Sequence, residues 1–249
     1  MSREVLDLIE KRTSTRVFSE KEVTDEQRAA VLRAASRAPS AGAMMLYSII
    51  DIREQATLER LAVLCDNQKF IAKAPWALVF VADYCKWVDQ FAAAGCFEAD
   101  GPRAPGAGEM LLACEDAIIA AQNAVVAAEA VGLGSCYIGD IMENASEVAE
   151  LLGLPAHTYP AAMLVLGEPA YPRPQTPHPC ENLVMSERYR RATPDVVERQ
   201  LAERGGTIER KAPGDRARGL YKRKYAAGFT REMNRSAEEW LLRWKGELP

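Results

Sequence analysis

The run AIIAAQNAVVAAEAVGLG, residues 117–134, restricts the possible folds of this chain more than any other stretch. With the residues before it, the run reads as a helix over about 109–131, rich in alanine and apolar around most of its circumference. Such a helix must be buried in a core or between subunits, because it has no broad polar face to turn to water. Gln122, Asn123 and Glu129 interrupt it, which favours a buried helix over a membrane span. Gly132 stands where a left-handed residue ends a helix.

The flanking pattern alternates helices with apolar strands. The spacing predicts helices over 3–11, 25–39, 53–65, 83–95 and 144–153, with Thr24 or Asp25 capping the second and Pro39 ending it. Strands are expected over 46–52, 75–83, 135–141 and 159–167. Residues 97–108 read as a Gly/Pro-rich loop. Residues 168–179 hold five prolines and read as an extended arm that cannot be an interior strand. The close strand–turn–helix rhythm of a doubly wound sheet is missing. The expectation is an α+β fold, a mixed sheet packed between helices. Residues 1–190 form its main domain, and 191–249 a helical extension packed on the core or on a partner. In that extension, RSAEEWLLRWKG (235–246) puts Trp240, Leu241 and Trp244 on one side.

The chain's 249 residues, 48% hydrophobic and 27% charged, are ample for a substantial core. Charges at Arg3, Glu4, Asp7, Glu10 and Lys11 break any leader-like apolar run, so a cytoplasmic protein with no membrane partner is expected. Six scattered cysteines and only two histidines disfavour a disulfide framework, a zinc cluster and a Ser-His-Asp triad. Net charge is −4, but residues 173–249 hold 17 Lys+Arg against 11 Asp+Glu. Acids interleave these bases, as on exposed helix faces, so nucleic acid is not an expected partner.

Four short motifs carry the chemistry. RTSTR (12–16) sets two guanidinium forks and three hydroxyls together, a kit for phosphate oxygens; alone, it reads more often as a solvated helix end. RAPSAG (37–42) offers turn N–H groups beside Ser40, or an ordinary loop. Gln68, just ahead of the strand at 75–83, carries donors and an acceptor suited to a heteroaromatic edge, or is a surface glutamine. GLGSCYIGDI (132–141) is no dinucleotide fingerprint: Tyr137 occupies the place of a required glycine, and the stretch leaves a helix to enter a strand. What remains is a glycine-lined backbone that something flat can approach, above all at Gly139.

In this order, RTSTR, APSA, NQKF and GLGSCYIG resemble the FMN-dependent nitroreductase family, specifically its NADPH-dependent nitro/flavin reductase branch, over roughly residues 3–190. The resemblance implies a homodimer with FMN at the subunit interface. Arg12, Ser14 and Arg16 would hold the flavin phosphate. Ser40 and Gln68 would contact the ring edge or ribityl chain, and Ile138–Gly139–Asp140 would pass the reactive side of the ring. Arg173 or His178 on the proline-rich arm would close the phosphate site. Ala43 and Met45 stand where the family commonly has Asn and Gln. The implied activity is hydride transfer from NAD(P)H through FMN to a small-molecule acceptor: a nitroaromatic, a quinone or a flavin. The alternatives are a same-fold flavoprotein with other redox chemistry (reductive dehalogenation or metabolite oxidation) and a non-enzymatic flavin- or partner-binding protein.

Overall fold

The computed structural model describes residues 4–97, 101, 103–172, 183–203 and 214–248. Its centre is β2 (Trp76–Asp83), buried along its whole length. The period-2 alternation of a strand sends Ala77, Val79 and Val81 into one core and Trp76, Leu78 and Phe80 into another. Hence WALVFVAD reads as continuously apolar: both faces of the sheet are covered. β1 (Tyr47–Ile52) and β4 (Thr158–Gly167) flank β2, and β3 (Gly134–Ile138) lies outside β4, giving the order β1-β2-β4-β3. These strands pair antiparallel throughout. The four strands thus form an antiparallel sheet rather than the mixed one expected, and among the described residues the parallel pairing is the isolated bridge Ser14–Ser135 on the outer edge of β3. The β2–β4 register shifts between Phe80 and Val81, where Pro160 has no N–H to offer the ladder.

One face of the sheet carries α6 (Ala107–Ala130) and α2 (Asp25–Ala35). Ala117, Ala120, Ala121, Ala124 and Ala128 press on Trp76, Leu78 and Phe80, small side chains against large ones. α6 has the length and hydropathy of a membrane span, but here it is the core helix of that face. Its other side leaves Leu111, Leu112, Ile118 and Ile119 exposed. Thr24 caps α2 in a reciprocal capping box with Gln27.

The opposite face carries α3 (Gln55–Leu64), the short α4 (Lys69–Ala72), α7 (Ala145–Leu152) and the later turns of α10 (Gly228–Trp244). α1 (Glu4–Lys11) precedes the arginine motif, and α5 (Cys85–Ala93) follows β2. By contacts the chain divides into Met1–Gln175 with Met233–Pro249, and Thr176–Glu232. The last turns of α10 therefore count with the main unit, where Trp240 and Trp244 are fully buried. The second unit contains α8 (Pro194–Glu203), α9 (Asp215–Leu220), a π-helical turn (Tyr221–Tyr225) and the start of α10. In it Tyr221 stacks on Tyr225 and Lys224 lies over Phe229.

Four local features differ from the sequence expectation. α2 stops at Ala35 rather than 39, with the Ser36 N–H bonded back to Leu32 O. The extended segment expected over 135–141 ends at Ile138. There Gly139 takes αR geometry and opens a 3-10 turn, Asp140–Met142. α4 and the 3-10 turn Ala41–Ala43 are each too short to leave a periodic signature.

Burial raises the thiol pKa of Cys65 and Cys136, and pushes that of Cys114 up to about 12. A thiol raised in the folded state stabilises the fold fully below its unfolded value of about 8.5, and this stability is lost as pH rises toward the folded value. Thermal melts from pH 8 to 10 should therefore fall, and fall less steeply for a Cys65→Ala/Cys114→Ala variant. Identical slopes would refute the assignment.

Candidate functional site

The arginine motif leaves α1 as an extended strip. The Arg12 N–H closes the helix on Leu8 O at 3.0 Å, and the Thr15 N–H then donates to Ser135 O at 2.9 Å. Farther on, the Ser19 N–H donates to Glu168 O and the Ala170 N–H to Val17 O, so the strip also zips onto the start of the proline-rich arm. Strand alternation buries Thr15 and leaves Ser14 and Arg16 exposed together. Two cross-strand glycines admit it. A Cβ on Gly134 would lie 2.8 Å from Thr15 Cβ, and one on Gly167 would lie 2.8 Å from the Phe18 ring.

Among the described residues, neither Arg12 nor Arg16 has an ion-pair partner. Both guanidiniums act on the Cys136 thiol of β3; burial raises its pKa, opposed by Arg16, by hydrogen bonds with Ser14 and Arg16, and by Arg12. Arg16 also lies over the Phe70 ring of α4, 5.8 Å from its centroid. Ahead of α4, Asp66 and Asn67 both take left-handed backbone, at φ 57° and 53°. Gln68 follows them, and its Nε2 donates to Asp140 Oδ2 at 2.6 Å. Strip, α4 and the turn after β3 thus meet along one strand edge. Cys136 lies within β3, and Asp140 opens the 3-10 turn just past its end.

Within the expected Ile138–Gly139–Asp140 segment, the Ile138 side chain is buried in the core, so only its backbone can face a ligand. A Cβ built on Gly139 meets nothing within 4 Å, which leaves open space beside the turn. Tyr137 points instead toward α6, its hydroxyl 3.4 Å from Gln122 Oε1. Desolvation, opposed by Arg12, pushes that hydroxyl up to about 12.

Among the described residues Ser40 makes no hydrogen bond to the strip, to Gln68 or to Asp140. Its hydroxyl accepts from the Met45 N–H at 3.0 Å, and the Ala41 and Leu46 N–H groups donate to the Asp116 carboxylate of α6 at 2.9 and 3.1 Å. Trp87 of α5 donates to Met44 O, and Lys86 Nζ to Tyr47 O. Gly42, Ala43 and Met45 are all left-handed, at φ 56°, 57° and 49°. Ala43 and Met45, the two departures in the motif, are therefore also backbone exceptions. Tyr47 and Met44 pack into the core, while Met45 is half exposed. His178 and Arg173 lie outside the described residues.

Sequence reasoning missed Asp116, Phe70, Thr15 and Cys136. Asp116 left the clearest signal: a carboxylate inside an alanine-rich helix has to find donors.

The sequence model of the nitroreductase family matches residues 9–168. The chain belongs to the nitroreductase family. An oxygen-insensitive NADPH nitroreductase of Salmonella typhimurium is 36% identical over 213 residues, 82% of this chain and 85% of that one. Among solved structures, B. megaterium NfrA2 superposes with a TM-score of 0.78 at 26% identity, covering 95% of this chain and 98% of the other. The NADPH:FMN oxidoreductase from Vibrio harveyi complexed with NAD+ gives 0.74 at 25% identity, covering 93% and 97%.

If Gly134 admits the strip, Gly134→Ala should lower stability by about 1–3 kcal/mol in denaturant unfolding. It should also speed amide exchange at Thr15. Gly139→Ala, which adds its methyl group to open space, should change neither. Unchanged Thr15 protection in Gly134→Ala would refute the packing argument.

Proposed function

We propose that this chain binds FMN along the outer edge of β3 and reduces a small-molecule acceptor with NAD(P)H as hydride donor. The observation that carries the reading is the pair of guanidiniums, Arg12 and Arg16, without an acidic partner among the described residues. They stand beside the exposed Ser14, on a strip that converges with Gln68 and Asp140. This donor set suits a phosphate dianion: forked charge-assisted donors plus a hydroxyl, with no carboxylate paired to them. Bound FMN supplies the hydride-transfer chemistry, so no protein nucleophile or triad is needed.

The chain's own residues bind and orient. Arg12, Ser14 and Arg16 grip the phosphate, and Arg16 is held in place against Phe70. Gln68 reaches the ring edge from its bond with Asp140, and the open space at Gly139 admits the face of the ring. NADPH as the preferred donor follows the names of the similar proteins. The acceptor class is that of the resemblance: nitroaromatics, quinones or free flavin.

The reading includes a homodimer. Leu111, Leu112, Ile118 and Ile119 make an exposed apolar stripe on α6, at the spacing of one helix face. Asp116, on the same stretch of α6, anchors the Ser40 loop. Among the described residues Ser40 shares no hydrogen bond with the arginine strip of its own chain; in this reading it meets the flavin held by the other subunit's arginines.

Arg16→Ala should weaken FMN binding by about 2 kcal/mol, roughly thirtyfold, in a fluorescence titration. Gly139→Ala should weaken it without loss of fold. Parent-like FMN affinity in Arg16→Ala would remove the arginine from the site. NADPH oxidation should be stimulated by nitrofurazone or menadione. A yellow protein inactive with either nicotinamide nucleotide would move the assignment to another flavin chemistry.

A further inference from the structure

We infer that Trp240, on the last helix, is a positioning residue for the candidate flavin site. The inference rests on the FMN reading above. The Asp140–Met142 turn follows β3 and holds the carboxylate that Gln68 binds. A 3-10 turn of three residues has little stability of its own. Within it the Met142 N–H reaches Gly139 O only at 3.3 Å, and the Glu143 N–H reaches Asp140 O at 3.0 Å. Its place is therefore set by what grips it from outside.

α10 supplies much of that grip. The Trp240 indole Nε1–H donates to Met142 O at 2.8 Å, two residues from Asp140. The indole is almost fully buried and meets the Tyr159 ring edge-on at 5.8 Å, and the Tyr159 hydroxyl lies 3.6 Å from Met142 Sδ. One turn away, the Ser236 hydroxyl accepts from the Ala145 N–H at 3.3 Å, and the Ser146 hydroxyl donates to Glu239. On the other flank, left-handed Asn144 donates to Leu64 O at 2.7 Å. The turn is thus held at Asp140 by Gln68 and at Met142 by Trp240. Without the indole donor a part-buried carbonyl loses its partner, and the turn relaxes toward any other donor it can find. Asp140 would move with it, and Gln68 would lose its bearing on the ring edge.

The same helix contains its own control. Trp244 is equally buried, and its Nε1–H donates to Gly106 O at 3.0 Å, at the start of α6 and away from the turn. Trp240→Phe and Trp244→Phe remove the same donor and leave the same small void, so both should lower Tm by comparable amounts. Trp240→Phe should also raise the FMN Kd by about tenfold or more and shift the reduction potential of bound flavin, whereas Trp244→Phe should stay within about twofold of the parent. Amide exchange at residues 140–143 should quicken only in Trp240→Phe. Equal losses of FMN affinity in both variants, or unchanged affinity and potential in Trp240→Phe, would overturn the inference. Should the parent itself take up no FMN, the FMN reading fails. The role at a flavin site falls with it, and amide exchange then decides only whether Trp240 holds the turn: it does if protection is lost at 140–143 in Trp240→Phe alone, and does not otherwise.

Discussion

The backbone bond from the Thr15 N–H to Ser135 O ties a segment near the start of the chain to the free edge of the last strand in the sheet. Without it the arginine motif would be a solvated helix end. With it, alternation along an extended strip turns Thr15 into the protein and Ser14 and Arg16 out along β3. The bond depends on room. Gly134 and Gly167 face each other across the β3–β4 ladder, and each takes a residue of the strip where a side chain would stand. The strip also covers an otherwise exposed edge of the sheet.

A second constraint is the buried carboxylate of Asp116. It takes two backbone donors from a loop whose residues at 42, 43 and 45 are left-handed. Strain of this kind persists only where the surroundings over-determine it, and here a core helix, Lys86 and Trp87 all hold the loop. Two rigidly held groups result: arginines on one edge of the sheet, and Ser40 on a loop anchored to α6. A homodimer that places one subunit's loop over the other's strand would bring them together.

Much of the architecture was legible because it follows from short-range periodicity. WALVFVAD read as a strongly apolar strand, and the alanine-rich run as a helix buried in a core or between subunits, since neither has a broad polar face. The four motifs were visible as residue types and in order. Whether they met was not visible, because that is decided by strand order and edge pairing between residues over a hundred positions apart, such as Ser14 and Ser135. The strand end at Ile138 was hidden too. Gly139 continues an apolar, glycine-spaced run that gives no local sign of where extended backbone turns into a 3-10 turn. The short α4 left no period, so Phe70 beneath Arg16 could not be anticipated.

The sequence by itself determined the fold class, the buried helix and the supply of guanidinium and hydroxyl side chains at 12–16, all properties of local pattern and composition. Tertiary structure alone decided that Gln68 meets Asp140, that the Ile138 side chain turns inward, that the Ser40 hydroxyl is taken up by its own loop, and that a tryptophan near the end of the chain donates to the turn after β3. The physical reason is range. A side chain's facing follows from its immediate neighbours, but its partners follow from how distant strands and helices share one core.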